Sequence, residues 1–91
     1  MGKEQRLIRF TGTVQGVGFR YTTCHVAGGY EVVGTVRNLP DGSVECVVEG
    51  DAEEIDAFLA ALGEKMAGYI RERTQQTAPV SGAYRSFGVT F

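Results

Sequence analysis

Apolar and polar residues alternate from position 6 to 14. Ile8, Phe10, Gly12 and Val14 fall on one side of an extended chain, and Arg9, Thr11 and Thr13 on the other. A period of two predicts a half-buried strand over 6–14. From 19 to 30 the spacing lengthens, and Phe19, Val26, Ala27 and Tyr30, with Thr23 between them, fit a helix. Its propensities are weak. Thr22 and Thr23 are β-branched, and Gly28 and Gly29 each cost up to ~1 kcal/mol relative to Ala inside a helix, so the glycine pair is expected to end or loosen it.

Two further alternating runs, 32–38 and 43–49, predict a hairpin. Val32, Gly34 and Val36 share one face of the first, and Val44, Cys46 and Val48 one face of the second. The intervening Leu39-Pro40-Asp41-Gly42 has proline at the first central turn position, Asp at the second and Gly at an exit that tolerates positive φ. The strongest helical pattern follows. Ile55, Phe58, Leu59, Leu62 and Met66 form a single stripe over 52–66. Asp51 stands at its start with Glu54 three residues on, in the arrangement of a capping box, and Gly68 marks its exit. Residues 69–77 alternate weakly and predict an exposed or edge strand. Ala78 to Gly82 reads as a loop containing Pro79. Residues 84–91 end in alternation, with Phe87, Val89 and Phe91 expected inward.

The order is therefore strand, helix, strand, strand, helix, strand, with one more C-terminal strand. Right-handed crossovers joining two such halves in one sheet give an α+β, ferredoxin-like βαββαβ sandwich. Its sheet is mostly antiparallel, and both helices cover one face. The opposite face is expected to stay polar, as the arginines and threonines of 6–13 suggest. With no repeat and no linker, the 91 residues read as a single domain, 1–91.

Composition narrows the function classes. The net charge of −2 and the scattered Lys and Arg offer no general attraction to nucleic acid or anionic membranes. No apolar run approaches the roughly 18 residues of a membrane span, and MGKEQRLIRF lacks the apolar centre of a secretory signal. Gly2 does not open a myristoylation signal, because Arg6 stands where Ser or Thr is required. A cytoplasmic location is the expectation. The two cysteines, Cys24 and Cys46, match no zinc spacing. They read as small core residues or, in oxidising surroundings, as a disulfide.

The densest local chemistry is Gly12 to Arg20, GTVQGVGFR, which packs three glycines and an arginine between a strand and a helix. Two readings stand for it. In one, the glycines only make a tight turn and Arg20 is a surface charge. In the other, Gln15, Gly16, Val17, Gly18 and Phe19 turn their N–H groups towards one anion. The helix N-terminus then adds partial positive charge, and Arg20 a planar fork suited to phosphate oxygens. The stretch is neither a Walker loop, lacking Lys-Ser/Thr, nor a dinucleotide fingerprint. Asn38 is the only asparagine and ends the first hairpin strand. It reads either as a turn initiator or as a side chain that orients a water molecule without taking a proton.

GTVQGVGFR, VRNLPDGSVECVVEG and the terminal YRSFGVTF resemble the acylphosphatase family over nearly the whole chain. The resemblance implies metal-free, cofactor-free hydrolysis of the carboxyl–phosphate bond of a small acyl phosphate. Inorganic phosphate would then be both product and competitive ligand. It implies that Arg20 and the 15–20 loop bind the phosphate and that Asn38 holds the attacking water. The missing triad, metal cluster and carboxylate pair accord with this, since the leaving carboxylate needs no strong acid. Phosphoryl transfer then rests on positioning and charge stabilisation. The chain departs from the family pattern at Glu31, where many relatives carry glycine, and in the helix residues Thr22, Thr23, Cys24 and His25. His25 as a base and Cys24 as a nucleophile are weak candidates, because a placed water needs neither.

Two rivals remain. One is a phosphate-binding module with little turnover, as in larger carbamoyl-transferring enzymes that carry such a domain. The other is nucleic-acid binding through the open sheet face, which the acidic balance and the lack of an exposed aromatic pair oppose. A monomer is expected.

Overall fold

The computed structural model describes residues 2–91; Met1, with which the expected 1–91 domain begins, lies outside them. Five strands and two helices follow in the order β1 (Lys3–Gly12), α1 (Phe19–Ala27), β2 (Val32–Asn38), β3 (Val44–Asp51), α2 (Ala52–Lys65), β4 (Ile70–Pro79) and β5 (Phe87–Val89). They form one sheet ordered β4-β1-β3-β2-β5. β1 is antiparallel to β3 and β4, β2 is antiparallel to β3, and only β2 and β5 are parallel. Each helix carries the chain from one strand over a central neighbour to the next, the split βαβ arrangement of a ferredoxin-like sandwich.

The core lies between helices and sheet. Ile8, Phe10, Val36, Val44, Cys46, Val48, Ile55, Phe58 and Leu62 are fully buried there. Both hairpin strands bury the alternate residues their period predicts. The turn closes with the Gly42 N–H on the Leu39 carbonyl at 3.1 Å and the Leu39 N–H on the Ser43 carbonyl at 2.8 Å. Gly42 takes φ 94°.

The structure corrects several local expectations. β1 starts at Lys3 and ends at Gly12 rather than running to 14. A register shift at Thr11/Gly12 breaks its pairing with β4, although Val14 is still buried. Arg6 belongs to the helix-facing side rather than the polar face. It is 8 % exposed and pairs with Glu4 at 2.7 Å and with Asp56 on α2. The Asp56 carboxylate raises the Arg6 pKa, as does Glu4, against the opposing effect of burial.

α1 ends at Ala27, short of 30, because the glycine pair closes it as expected. The Gly29 and Tyr30 N–H groups bond to the Val26 and Ala27 carbonyls, three residues back, which tightens the exit. The poor helix former Thr23 is accommodated because its buried hydroxyl donates to the Phe19 carbonyl at 2.7 Å.

The capping box does not form. Asp51 occupies the N-cap of α2 but its side chain makes no capping bond. The Glu54 carboxylate instead accepts the Glu31 N–H at 2.8 Å. The tertiary partner outcompeted the local one, and the donor is the backbone N–H of residue 31, which glycine would supply as well. β4 runs through Pro79, because its pairing with Glu4 extends into the segment expected to be loop. At the C-terminus only Phe87 turns inward, its ring 5.6 Å from that of Phe58. Val89 is 42 % and Phe91 93 % exposed: β5 lies at the sheet edge, and Phe91 follows its end.

Candidate functional site

The loop between β1 and α1 is held at both ends. Before it, Val14 is buried and the Thr13 N–H donates to the Tyr69 carbonyl at 2.9 Å. After it, Phe19 is buried against Phe10, ring centroids 5.1 Å apart and tilted by 54°. Truncating such a buried ring costs about 3–5 kcal/mol, so Phe19 anchors the start of the helix and with it the base of Arg20. Between these anchors Gly16 and Gly18 take φ 79° and 76°, a left-handed conformation that L side chains adopt only with strain. Gly18 is also the N-cap of α1. The first helical bond runs from the Thr22 N–H to the Gly18 carbonyl at 2.9 Å. The N–H groups of Phe19, Arg20 and Tyr21 thus precede the hydrogen-bond ladder, and no side chain caps them. The first turn of α1 carries no acidic residue.

These groups border a cavity of about 470 Å³. Gly16, Gly18, Phe19, Arg20 and Asn38 line it, so the structure brings the loop, the arginine and the asparagine of the hairpin to one place. Gln15 and Val17 do not line it. Val17 packs against the core, and the Gln15 side chain donates to the Leu39 and Ser43 carbonyls at 2.8 and 2.9 Å.

Arg6, Arg9 and Arg37 each hold a carboxylate: Arg6 takes Glu4 and Asp56, Arg9 takes Asp41, and Arg37 takes Glu45. Arg20 enters no ion pair among the described residues. Its guanidinium carbon lies 5.5 Å from the centre of the Phe91 ring, a contact that steers the cation without neutralising it.

The remaining wall is apolar: Val14, Tyr21, Cys24, Val89 and Phe91. Apart from Cys24, weighed as a nucleophile, sequence reasoning assigned none of these to the site. The only available signal was the C-terminal alternation, which placed Val89 and Phe91 in the core. Cys24 lies in the wall as a free thiol, and Cys46 is a free thiol in the core. Burial pushes both thiols' pKa values up, away from the reactive thiolate. His25 is exposed outside the lining, stacked on Tyr21 at 6.3 Å. No group of three His, Cys, Asp or Glu among the described residues could hold a metal ion. No helix among them is long and apolar enough to cross a membrane.

Fold and site together define a small α+β sandwich in which a glycine loop, a helix start and an arginine with no carboxylate partner among the described residues border one cavity. The acylphosphatase family model matches residues 7–89. An acylphosphatase from Thermococcus kodakarensis is 52% identical over 81 residues, covering 87% of this chain and 89% of that one. The crystal structure of the Bacillus subtilis acylphosphatase superposes with a TM-score of 0.87 at 26% identity, over 97% of this chain and 99% of its own. The crystal structure of T. kodakarensis HypF also matches, with a TM-score of 0.83 at 33% identity, over 97% of this chain but 12% of that much longer one. The chain belongs to the acylphosphatase family, hydrolases of acid anhydrides whose function is the hydrolysis of acyl phosphates.

Proposed function

We propose that this chain carries out that hydrolysis by positioning and charge alone, with Arg20 and the 15–20 loop as the phosphate site and Asn38 as the holder of the attacking water. One observation carries the reading. The left-handed Gly16 and Gly18, the open helix start, Arg20 and Asn38 border one cavity, and Arg20 has no carboxylate partner among the described residues. The phosphoryl group of the substrate lies against the loop N–H groups and the Arg20 fork, donors suited to its three spreading charges. The Asn38 amide can donate and accept at once, and it holds water in line with the bond to be broken. The water oxygen bonds to phosphorus as the phosphorus–carboxylate oxygen bond breaks. The carboxylate leaves with the electron pair, and a phosphate oxygen takes the proton of the water.

The acyl part of the substrate faces the apolar wall. Inorganic phosphate binds the same loop as product and competitor. A reducing, cytoplasmic setting and a monomeric state accord with two free thiols and a site assembled within one chain.

Steady-state turnover of a small synthetic acyl phosphate in the presence of EDTA, inhibited competitively by inorganic phosphate, is the expected outcome. A requirement for added metal would overturn the charge-and-position mechanism. The likeness to a domain of HypF favours one alternative, a phosphate-binding module with little turnover. Phosphate binding to the folded chain without hydrolysis would select it.

A further inference from the structure

Gln15 adjoins the phosphate loop, yet its side chain reaches away from the cavity. Its Nε2 donates to the Leu39 carbonyl at 2.8 Å and to the Ser43 carbonyl at 2.9 Å. Both partners are acceptors only, so the amide orientation follows from them. Each carbonyl already receives a backbone bond, from Gly42 N–H to Leu39 and from Leu39 N–H to Ser43. The turn therefore closes without Gln15, and no buried acceptor depends on it. What the two bonds add is a link between the loop and the hairpin. At one end of that link Gln15 adjoins Gly16; at the other Leu39 adjoins Asn38.

The hairpin is stiff where the link attaches. The Ser43 N–H and hydroxyl both donate to Asp41 Oδ1, at 3.0 and 2.6 Å. Arg9 of β1 donates to the Ser43 hydroxyl at 3.1 Å and pairs with Asp41. The sheet and Arg9 tie this turn to β1, and the Gln15 bonds tie it directly to the loop that β1 leads into.

We propose that Gln15 is a positioning residue that sets the spacing between the phosphate loop and the water held by Asn38. The proposal rests on the assignment of Asn38 under Proposed function. In-line attack is sensitive to such spacing, since a displacement of about 1 Å can cost about 100-fold in rate.

Gln15→Met keeps the length of the side chain and removes the donor. It is expected to lower kcat by about 10- to 100-fold while the inhibition constant of inorganic phosphate changes by less than about 3-fold. Because Gln15 acts through Asn38, adding Gln15→Met to Asn38→Ala should cost no more than about 2-fold further. Gln15→Asn, with the same donors on a shorter stem, is expected to fall between wild type and Gln15→Met, and it serves as the test if Gln15→Met does not fold. Wild-type kcat in Gln15→Met, an equal loss in the Asn38→Ala background, or a phosphate constant that worsens as much as kcat would each overturn the proposal.

Absence of turnover in the wild-type chain would instead count against the function reading. A second measurement, independent of turnover, then judges the link. Titrating the full chain with inorganic phosphate should shift the amide resonances of Leu39 and Ser43 together with those of 16–20. Gln15→Met should abolish the former and keep the latter. Unchanged shifts at Leu39 and Ser43 in Gln15→Met would sink the link.

Discussion

Two places in this molecule gather hydrogen-bond donors, and they differ in whether the chain brings a carboxylate to them. At Glu49 of β3 the chain supplies its own. The carboxylate is 2 % exposed and is ringed by Gln5 Nε2 at 2.7 Å, the Ser81 N–H at 2.8 Å, the Ser81 hydroxyl at 2.7 Å and the Gly82 N–H at 3.3 Å. Burial alone would push the Glu49 carboxyl up. The bonds from Ser81, Gln5 and Gly82 outweigh it and hold the carboxyl below its ordinary range. The donors at the start of α1 form the second place. Gly16, Gly18, the first N–H groups of the helix and Arg20 border an open cavity, and no carboxylate among the described residues pairs with the arginine. The two helix starts repeat the contrast. α2 carries Glu53 and Glu54 in its first turn and α1 carries no acid. A donor cluster filled from within ties segments together. One to which the chain brings no carboxylate is, on the reading proposed above, the phosphate site.

The contrast is broken most directly at Arg20. Arg20→Ala should lower kcat/KM by at least about 100- to 1000-fold and weaken competitive inhibition by phosphate, because the full charge has no substitute at the loop. Steady-state kinetics with phosphate as inhibitor reads both, and a variant that retains phosphate affinity would return Arg20 to the surface charges.

Asn38→Ala is next. It should lower kcat by about 100-fold and leave phosphate inhibition nearly unchanged, the mark of an interaction made with the water rather than the anion. Wild-type kcat in that variant would remove Asn38 from the mechanism.

Glu49→Gln tests the other place and should touch stability rather than catalysis. Loss of its charged hydrogen bonds should cost about 1–3 kcal/mol at neutral pH. The folded-state carboxyl lies below its unfolded value of about 4.3. Its contribution is therefore complete above that value and fades as pH falls through the folded pKa. Denaturant melts of the two proteins should converge as the solution is acidified below about pH 4. Equal stability at pH 7 would mean the carboxylate ties nothing.

Asp51→Ala gives the smallest effect. A working N-cap is worth about 1 kcal/mol. With no capping bond in place, the change should stay within about 0.5 kcal/mol, the range of ordinary surface substitutions. A full capping loss in thermal melts would show that Asp51 caps the helix in solution.

Much of this was legible along the chain. The period of residues 6–14, the stripe from Ile55 to Met66 and the Leu39 to Gly42 turn each show in residues a few positions apart; the strand formed with shifted ends, Lys3 to Gly12, and the stripe and the turn formed where expected. So did the loop, because glycine at 16 and 18 marks backbone that other residues reach only with strain. The failures have a common form. Asp51 and Glu54 offered a local cap, but Glu54 bonds to Glu31, 23 positions away. Nothing near Gln15 in the chain signals that its side chain bonds to Leu39 and Ser43, 24 and 28 positions on. Val89 and Phe91 alternate like core residues, yet Val89 ends the edge strand and Phe91 lies beyond it, both on the cavity wall rather than in the core.

By itself, then, the sequence determined the elements, their order and the glycine loop between β1 and α1, because period and backbone freedom are properties of neighbouring residues. Only the tertiary structure decided that Asn38 meets that loop, that Arg20 goes without a carboxylate while Arg6, Arg9 and Arg37 do not, and that Glu49 is enclosed by Gln5, 44 positions away, and by Ser81. Those are choices among partners distant in the chain, and they are made by which strands lie side by side and which side chains the core leaves no room for.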